Sequence, residues 1–253
     1  WFRPVNFVNA PDGTLYVLDL AREVLEAVHI PMDVVSHLDL TSGRDRGRIF
    51  RVFPKGFKRP PQPKLGGATT AELVGFLESP HSWWRETAHR LIYERQDKSA
   101  EKLLRNLLQH SGQPQARLHA LWSLEGIQKL SDADVLTALG DSFPGVRENA
   151  LRLSETRLNG SRRIAERCVA LAVDTDARVR FQTAFTLGEL KSPLAVKGLA
   201  LLAKKDAADQ YIRTAVLSSS FECAAPLTVR LLEDATFCES AALLSANCVL
   251  AVT

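Results

Sequence analysis

Cysteine is scarce and poorly spaced for chemistry. The 253-residue chain holds four, Cys168, Cys223, Cys238 and Cys248, with no CxxC or CxxCH among them. Neither a dithiol metal site nor covalent haem attachment can be written onto that spacing, and small buried thiols are the expectation. Charge of one sign is missing too. Thirty-two Lys+Arg stand against 29 Asp+Glu, a net +3, which supplies no whole-molecule field for nucleic acid or acidic lipid. Long apolar runs are absent: stretches such as Leu199 to Ala203 fall far below the ~20 residues that cross a bilayer as a helix. With mean hydropathy at −0.08, no membrane span is expected in this chain. No HExxH or GxSxG occurs, so zinc-protease and nucleophile-elbow chemistry have no support.

What is present falls into two regions of different period. With 45% of residues hydrophobic and 24% charged, a sizeable core is possible. From Trp1 to Val52 the punctuation is that of β structure. Residues 3–8 and 14–19 read as an antiparallel hairpin around Pro11-Asp12-Gly13, and Gly47-Arg48-Ile49-Phe50-Arg51-Val52 as a further strand. A helical or irregular excursion is expected through Arg22–Glu26. So small a sheet is marginal alone and leaves its edges open, so it calls for neighbours outside this chain. Residues 53–68 hold four prolines and three glycines and read as a stiff, basic linker.

Beyond Ala68 the period becomes helical. Thr69-Thr70-Ala71-Glu72 has capping-box spacing before Leu73, Val74, Phe76 and Leu77. Arg85, Arg117, Arg147, Arg180 and Arg213 follow at steps of 32, 30, 33 and 33 residues. Each is trailed three or four positions on by a small or slim side chain: Ala88, Ala120, Ala150, Ala184, Val216. Such a period signals paired helices stacked as an α-solenoid. The pairs are expected at 69–97, 98–130, 131–160, 161–190, 192–221 and a truncated 223–253, with breaks at Ser111–Pro114, Ser142–Gly145, Asn159–Ser161 and Lys191–Pro193.

The unit Asp176-Ala177-Arg178-Val179-Arg180-Phe181-Gln182-Thr183-Ala184-Phe185-Thr186-Leu187-Gly188-Glu189-Leu190 resembles the second helix of a HEAT repeat. The fold expected is therefore mainly α: a HEAT-type solenoid of about five to six helix pairs (69–253), a linker (53–68) and a small antiparallel β blade (1–52). The segments Trp1–Phe7, Ala10–Asp19, Arg22–Val24 and Ser42–Val52 resemble the last blade of a six-bladed propeller of the glucose/sorbosone dehydrogenase type. Blade followed by HEAT repeats is similar to the putative membrane-bound dehydrogenases of planctomycetes and verrucomicrobia, whose arrays lead to a cytochrome c domain. The resemblance implies an exported or periplasmic protein. Its propeller would oxidise a sugar-like substrate with pyrroloquinoline quinone, and haem c would accept the electrons. It implies as well that this chain is a piece of the whole, with no catalytic, cofactor-binding or metal residue of its own, and with protein domains or a groove-bound peptide as partners.

The candidate sites are few. Asp12-Gly13 reads as turn chemistry in preference to a calcium loop, because Asn6, Asn9 and Asp12 do not make a DxDxDG series. Asp19, Arg22 and Glu23 could face a propeller mouth, but a local Asp–Arg pair fixing the excursion is the favoured reading. Arg44, Arg46, Arg48, Arg51, Lys55, Lys58, Arg59 and Lys64 oppose a single acid, Asp45, within residues 44–64. This patch could grip an anionic partner; its limited aromatic content argues against nucleic acid. His29, His37, His81, His89, His110 and His119 match no ligand spacing, although His89 and His119 could line an inner face. Of Trp83 and Trp84, one is expected in a seam and the other at an edge or against the blade; Trp122 is expected buried. The arginine ladder reads as structural, reaching a carbonyl or an Asp such as Asp176 or Asp209. Two readings compete with the scaffold: a stand-alone interaction module with a β cap, and an enzyme acting through the blade.

Overall fold

The structure is a computed structural model that describes residues 1–25 and 29–238. It is mainly helical, a solenoid preceded by a small three-stranded antiparallel sheet. The chain divides into two compact units, residues 1–91 and 92–253.

In the first unit β1 (Pro4–Asn9), β2 (Leu15–Asp19) and β3 (Arg48–Val52) lie in the order β1-β2-β3. Phe7 stands opposite Val17 and Val17 opposite Phe50, which puts the three on one face. The turn closes through Ala10 N–H to Thr14 O at 2.8 Å and Gly13 N–H to Ala10 O at 2.9 Å. Gly13 has φ +81°, a conformation that any side chain would strain. The excursion after β2 is irregular through the described residues 22–25, and its helix comes later, as the single turn α1 (Met32–Val35).

The unit continues through the proline-rich stretch, which carries no regular element until a one-turn 3-10 helix at Leu65–Gly67, where Leu65 is buried. Next come α2 (Thr70–Phe76) and α3 (Ser82–Arg95). The capping box forms: Thr69 Oγ1 accepts from Glu72 N–H at 3.3 Å, and Glu72 Oε2 accepts from Thr69 N–H at 2.7 Å. Trp84 in α3 meets the sheet, its indole N–H donating to Pro11 O at 2.7 Å. Its ring packs against His81 at 4.2 Å and Phe76 at 6.4 Å between centroids. The turn thus gains a side-chain donor for a half-buried backbone carbonyl.

The second unit contains α4 (Ala100–His110), α5 (Pro114–Gly126), α6 (Asp132–Leu139), α7 (Pro144–Ser154), α8 (Arg162–Ala170), α9 (Ala177–Gly188), α10 (Pro193–Lys205), α11 (Gln210–Ser219), α12 (Ala224–Leu232) and α13 (Ala235–Cys238). First helices pack on first helices in the series α4, α6, α8, α10, α12, and second on second in the series α5, α7, α9, α11. That is the nearest-neighbour arrangement of a solenoid. The expected breaks all fall at helix boundaries, three of them running into the first turn of the helix that follows. Pro114, Pro144 and Pro193 occupy first-turn positions, where a missing N–H costs no helical bond. Ser131, Asp176, Ser192 and Asp209 cap α6, α9, α10 and α11 with their side chains. Of the last expected pair, 223–253, the described residues reach only to 238.

Register in the core follows the small residues. Ala120, Ala150 and Ala184 are fully buried and Val216 nearly so, among Leu121, Leu124, Leu139, Leu151 and Leu187. Small side chains let second helices approach closely, and the leucines fill the space beside them. Gly198 in α10 is such a place of approach: a Cβ there would lie 2.4 Å from Leu187 Cδ1.

Candidate functional site

Two surfaces are built from the residues singled out by the sequence. The first is the sheet. Its buried polar anchors are Asp12 and Asp19, at 1% and 3% exposure. Asp12 Oδ1 accepts from Thr14 N–H at 3.1 Å and from the Thr14 hydroxyl at 2.6 Å, and Oδ2 accepts from Arg51 at 2.6 Å, with Arg59 at 3.4 Å. The Thr14 hydroxyl holds this carboxyl below its ordinary range, against the upward push of burial and with help from both arginines. The arrangement is a turn, and its oxygens are committed to Thr14, Arg51 and Arg59.

Asp19 corrects an expectation. It pairs with Arg48, not with Arg22. Oδ2 accepts from Arg48 Nε at 2.8 Å and Nη2 at 2.5 Å, and Oδ1 accepts from the amides of Arg3 and Ala21 at 2.5 and 3.0 Å. Burial pushes its carboxyl up, and these donors outweigh that push. The reason lies in the sheet register, which sets Asp19 directly opposite Arg48. Arg22 turns away to donate to Leu40 O, and the backbone carbonyls of Arg22 and Glu23 accept from Arg3.

The basic patch is correspondingly divided. Arg48, Arg51 and Arg59 are spent on the two buried acids. Arg44, Arg46, Lys55, Lys58 and Lys64 stay on the exposed surface. Arg48, Arg51 and Arg59 remain partly exposed beside them, with part of their charge answered inside the sheet. What the sheet does present is apolar surface. On one face stand Phe7, Phe50 and Val52, at 60%, 39% and 53% exposure; on the other Val8 and Ile49, at 44% and 70%.

The second surface is that of the second helices. Each register arginine donates its Nη1 to the carbonyl six residues before it: Arg85 to Ser79, Arg117 to Ser111, Arg147 to Asp141, Arg180 to Asp174 and Arg213 to Ala207, all at 2.7–2.9 Å. Three then grip an aspartate of the following repeat with two parallel bonds. Arg117 takes Asp141, Arg147 takes Asp174 and Arg180 takes Asp206, at 2.6–2.8 Å. The expected partners Asp176 and Asp209 are instead N-caps, a role that the backbone at the start of α9 and α11 imposes on them. Paired bonds to Asp141 and Asp206 hold Arg117 and Arg180 above the usual arginine range. Thus the ladder is structural, with side chains of all three pairs at 12% exposure or less, and it leaves no arginine stripe free for a ligand.

Aromatics stand exposed on the second helices α9 and α11 and on the 3-10 turn after α11. Phe181 and Phe185 meet edge to face at 5.0 Å, and Tyr211 and Phe221 are 68% and 83% exposed. Trp122 reaches from α5 to α7, donating to Asn149 Oδ1 at 3.0 Å. Trp83, His89 and His119 are half-buried, and His110 is exposed against Asn106 O. Cys168 is buried, and burial pushes its thiol up to about 11; Cys223 is half-buried. The side chain of Cys238 and all of Cys248 lie outside the described residues. Among the described residues no group of His, Cys, Asp or Glu is arranged to hold a metal, and no single helix is long and apolar enough to cross a membrane.

Residues 1–56 are similar to a family described as a domain of unknown function (DUF7133). The match covers the sheet, α1 and the first residues of the proline-rich stretch and stops before α2. No curated protein matches the chain.

Proposed function

We propose that the chain is a non-catalytic scaffold within a multidomain, dehydrogenase-like protein. The sheet would be the terminal blade of a glucose/sorbosone dehydrogenase-like propeller, and the HEAT-type solenoid would set the distance between that propeller and a cytochrome c domain. Both catalytic domains would lie outside this chain, in an exported or periplasmic protein. The observation that carries this reading is the sheet itself: three strands with large apolar side chains exposed on both faces. A sheet that ends a domain buries one face, whereas a blade between other blades must be apolar on both. The ladder supports the other half, since arginines gripped across successive repeats make the array a spacer of defined length.

Neither pyrroloquinoline quinone nor haem c fits residues of this chain. The acids of the sheet are committed to Thr14, Arg48, Arg51 and Arg59, and no CxxCH exists for thioether attachment. No step is therefore assigned to either group here.

A second reading, the stand-alone interaction module with a β cap, draws on the bond from Trp84 to Pro11 O, which ties the sheet's turn to the first helices. Reconstitution separates the two. The first reading expects the preceding part of the reading frame, made separately and supplied with quinone, to bind this chain. It expects that binding to weaken in Phe7→Ser/Phe50→Ser, while the chain's melting curve is retained. A reading frame with no preceding blades overturns the first reading in favour of the second. Aldose-dependent dye reduction by the 253 residues alone overturns both.

A further inference from the structure

An acid recurs where each second helix ends. Glu94 and Glu125 are the penultimate residues of α3 and α5, Glu155 and Glu189 are the C-caps of α7 and α9, and Glu222 follows α11. The steps are 31, 30, 34 and 33 residues. Helix stability does not explain the row. The carbonyl end of a helix carries partial negative charge, and a carboxylate placed there is opposed by it. Glu125 is compensated by Arg157 at 3.4 Å. The last three acids are not so treated.

Glu155, Glu189 and Glu222 line one cleft of about 400 Å³ at the ends of α7, α9 and α11, together with Phe185, Phe221 and Lys191. Lys191 offers one positive charge against three negative. Glu155 Oε1 accepts from the Thr186 hydroxyl at 3.0 Å and from Gln182 Nε2 at 3.2 Å, neutral donors both. Burial, with Glu189 adding to it, pushes its carboxyl up despite those bonds and Arg152. Among the described residues, no ion-pair partner is formed by Glu189 or Glu222. Beside these carboxylates stand exposed aromatic rings.

We propose that this cleft docks an extended segment of a partner protein that presents an arginine or lysine next to an apolar side chain. The cationic head sits among Glu155, Glu189 and Glu222, and the apolar neighbour lies on Phe185 and Phe221. Charge complementarity selects this occupant. An acidic segment is repelled, and a purely apolar one leaves the cleft's excess of negative charge unanswered. A guanidinium or ammonium gains charge-assisted bonds together with a ring face. A metal ion is disfavoured by the arrangement of the acids, which is not one that gathers ligands around a point.

The test uses the whole chain and a fluorescein-labelled Gly-Arg-Phe-Gly-Arg-Phe-Gly peptide, followed by anisotropy at low salt. Binding is expected, and salt should weaken it. Glu189→Gln/Glu222→Gln is expected to weaken it about tenfold, and Phe221→Ala about fivefold, the scale of charge-assisted and aromatic contacts. These three side chains stand on the exposed surface, and unchanged melting curves would show that the fold persists. A peptide with Glu in place of Arg should not bind. The proposal is overturned if the basic peptide fails to bind, if the variants bind it equally well, or if the acidic peptide binds with equal strength. It does not depend on the dehydrogenase reading, whose reconstitution could fail while this site binds as described.

Discussion

Asp174 holds Arg147 at two points, accepting from Nε at 2.8 Å and from Nη2 at 2.7 Å. Its own backbone carbonyl accepts from Arg180 of the next second helix at 2.8 Å. Asp141 stands in the same relation to Arg117 and Arg147. The result is one continuous chain of bonds, Arg117, Asp141, Arg147, Asp174, Arg180, Asp206, that runs across α5, α7 and α9 and the turns that precede their successors.

Breaking this chain should be costly. Asp174→Asn leaves the Arg147 guanidinium buried without its counter-charge, a change expected to cost about 3–5 kcal/mol. Arg147→Met/Asp174→Leu, which removes both charges, should cost less than the two single changes added together. Urea denaturation and a double-mutant cycle would measure both. A loss below about 1 kcal/mol in Asp174→Asn, the range of exposed pairs, would mean that the ladder does not hold the repeats.

Glu155 should oppose stability at neutral pH. Its folded pKa is raised by burial, so the unfolded chain releases this proton more readily than the folded one. Whatever stability its protonated form contributes is present below the ordinary value of 4.5 and is lost as pH rises through the raised value. Glu155→Gln keeps an acceptor for Thr186 and Gln182 and cannot ionise. The variant is expected to gain on the parent as pH climbs from 4 to 7; a difference that stays flat over that range would contradict the assignment.

Asp12 gives the opposite sign. Its lowered pKa, caused first by the Thr14 hydroxyl, means that its contribution is present above 3.8 and lost as pH falls through the lowered value. Acid titration followed by the amide signals of Gly13 and Thr14 should show the turn loosening only below that ordinary value. Asp12→Asn should already show loosened amides at pH 7.

Gly13→Ala should destabilise the same turn. The new Cβ would sit at φ +81°, 2.9 Å from the His81 ring. Positive φ alone costs a non-glycine residue roughly 1–2 kcal/mol, and moving His81 disturbs its packing on Trp84. Faster amide exchange in β1 and β2, with α5 to α11 unaffected, is the expected pattern.

Cys168 should resist alkylation. Its thiol is buried and pushed up to about 11, so thiolate is scarce at pH 8 and the reagent has no access. Mass spectrometry after iodoacetamide treatment should find it unmodified until urea unfolds the solenoid. Rapid labelling in the native chain would show the packing around α8 to be open.

The helix pairs could be read from the amino acids because their signals are local. Proline and glycine at Pro114, Pro144 and Pro193 and around Ser142–Gly145 mark breaks whatever lies nearby, and the arginine spacing of 30–33 residues repeats with the structural unit. The partners of those arginines were not legible. Asp174 lies two residues from Asp176 and Asp206 three from Asp209, and which of each pair points across the repeat depends on the turn geometry before α9 and α11. Asp19 shows the same limit, with Arg22 three positions away in sequence and Arg48 opposite it only once the strands pair. The row of acids from Glu94 to Glu222 was available as a periodicity of 30–34 residues. That periodicity acquires meaning only with the ends of the second helices, because its opposition to the helix dipole depends on where those ends lie.

Spacing alone settled that this chain makes a small sheet followed by stacked helix pairs, since hydrophobic period, caps and breakers act over a few residues. The choice of which carboxylate meets which guanidinium, which basic residues are consumed inside the sheet and which acids share a cleft belonged to the tertiary structure. Ion pairs and clefts depend on distances of a few ångströms between segments some 25–35 residues apart, and only packing brings those segments to a common place.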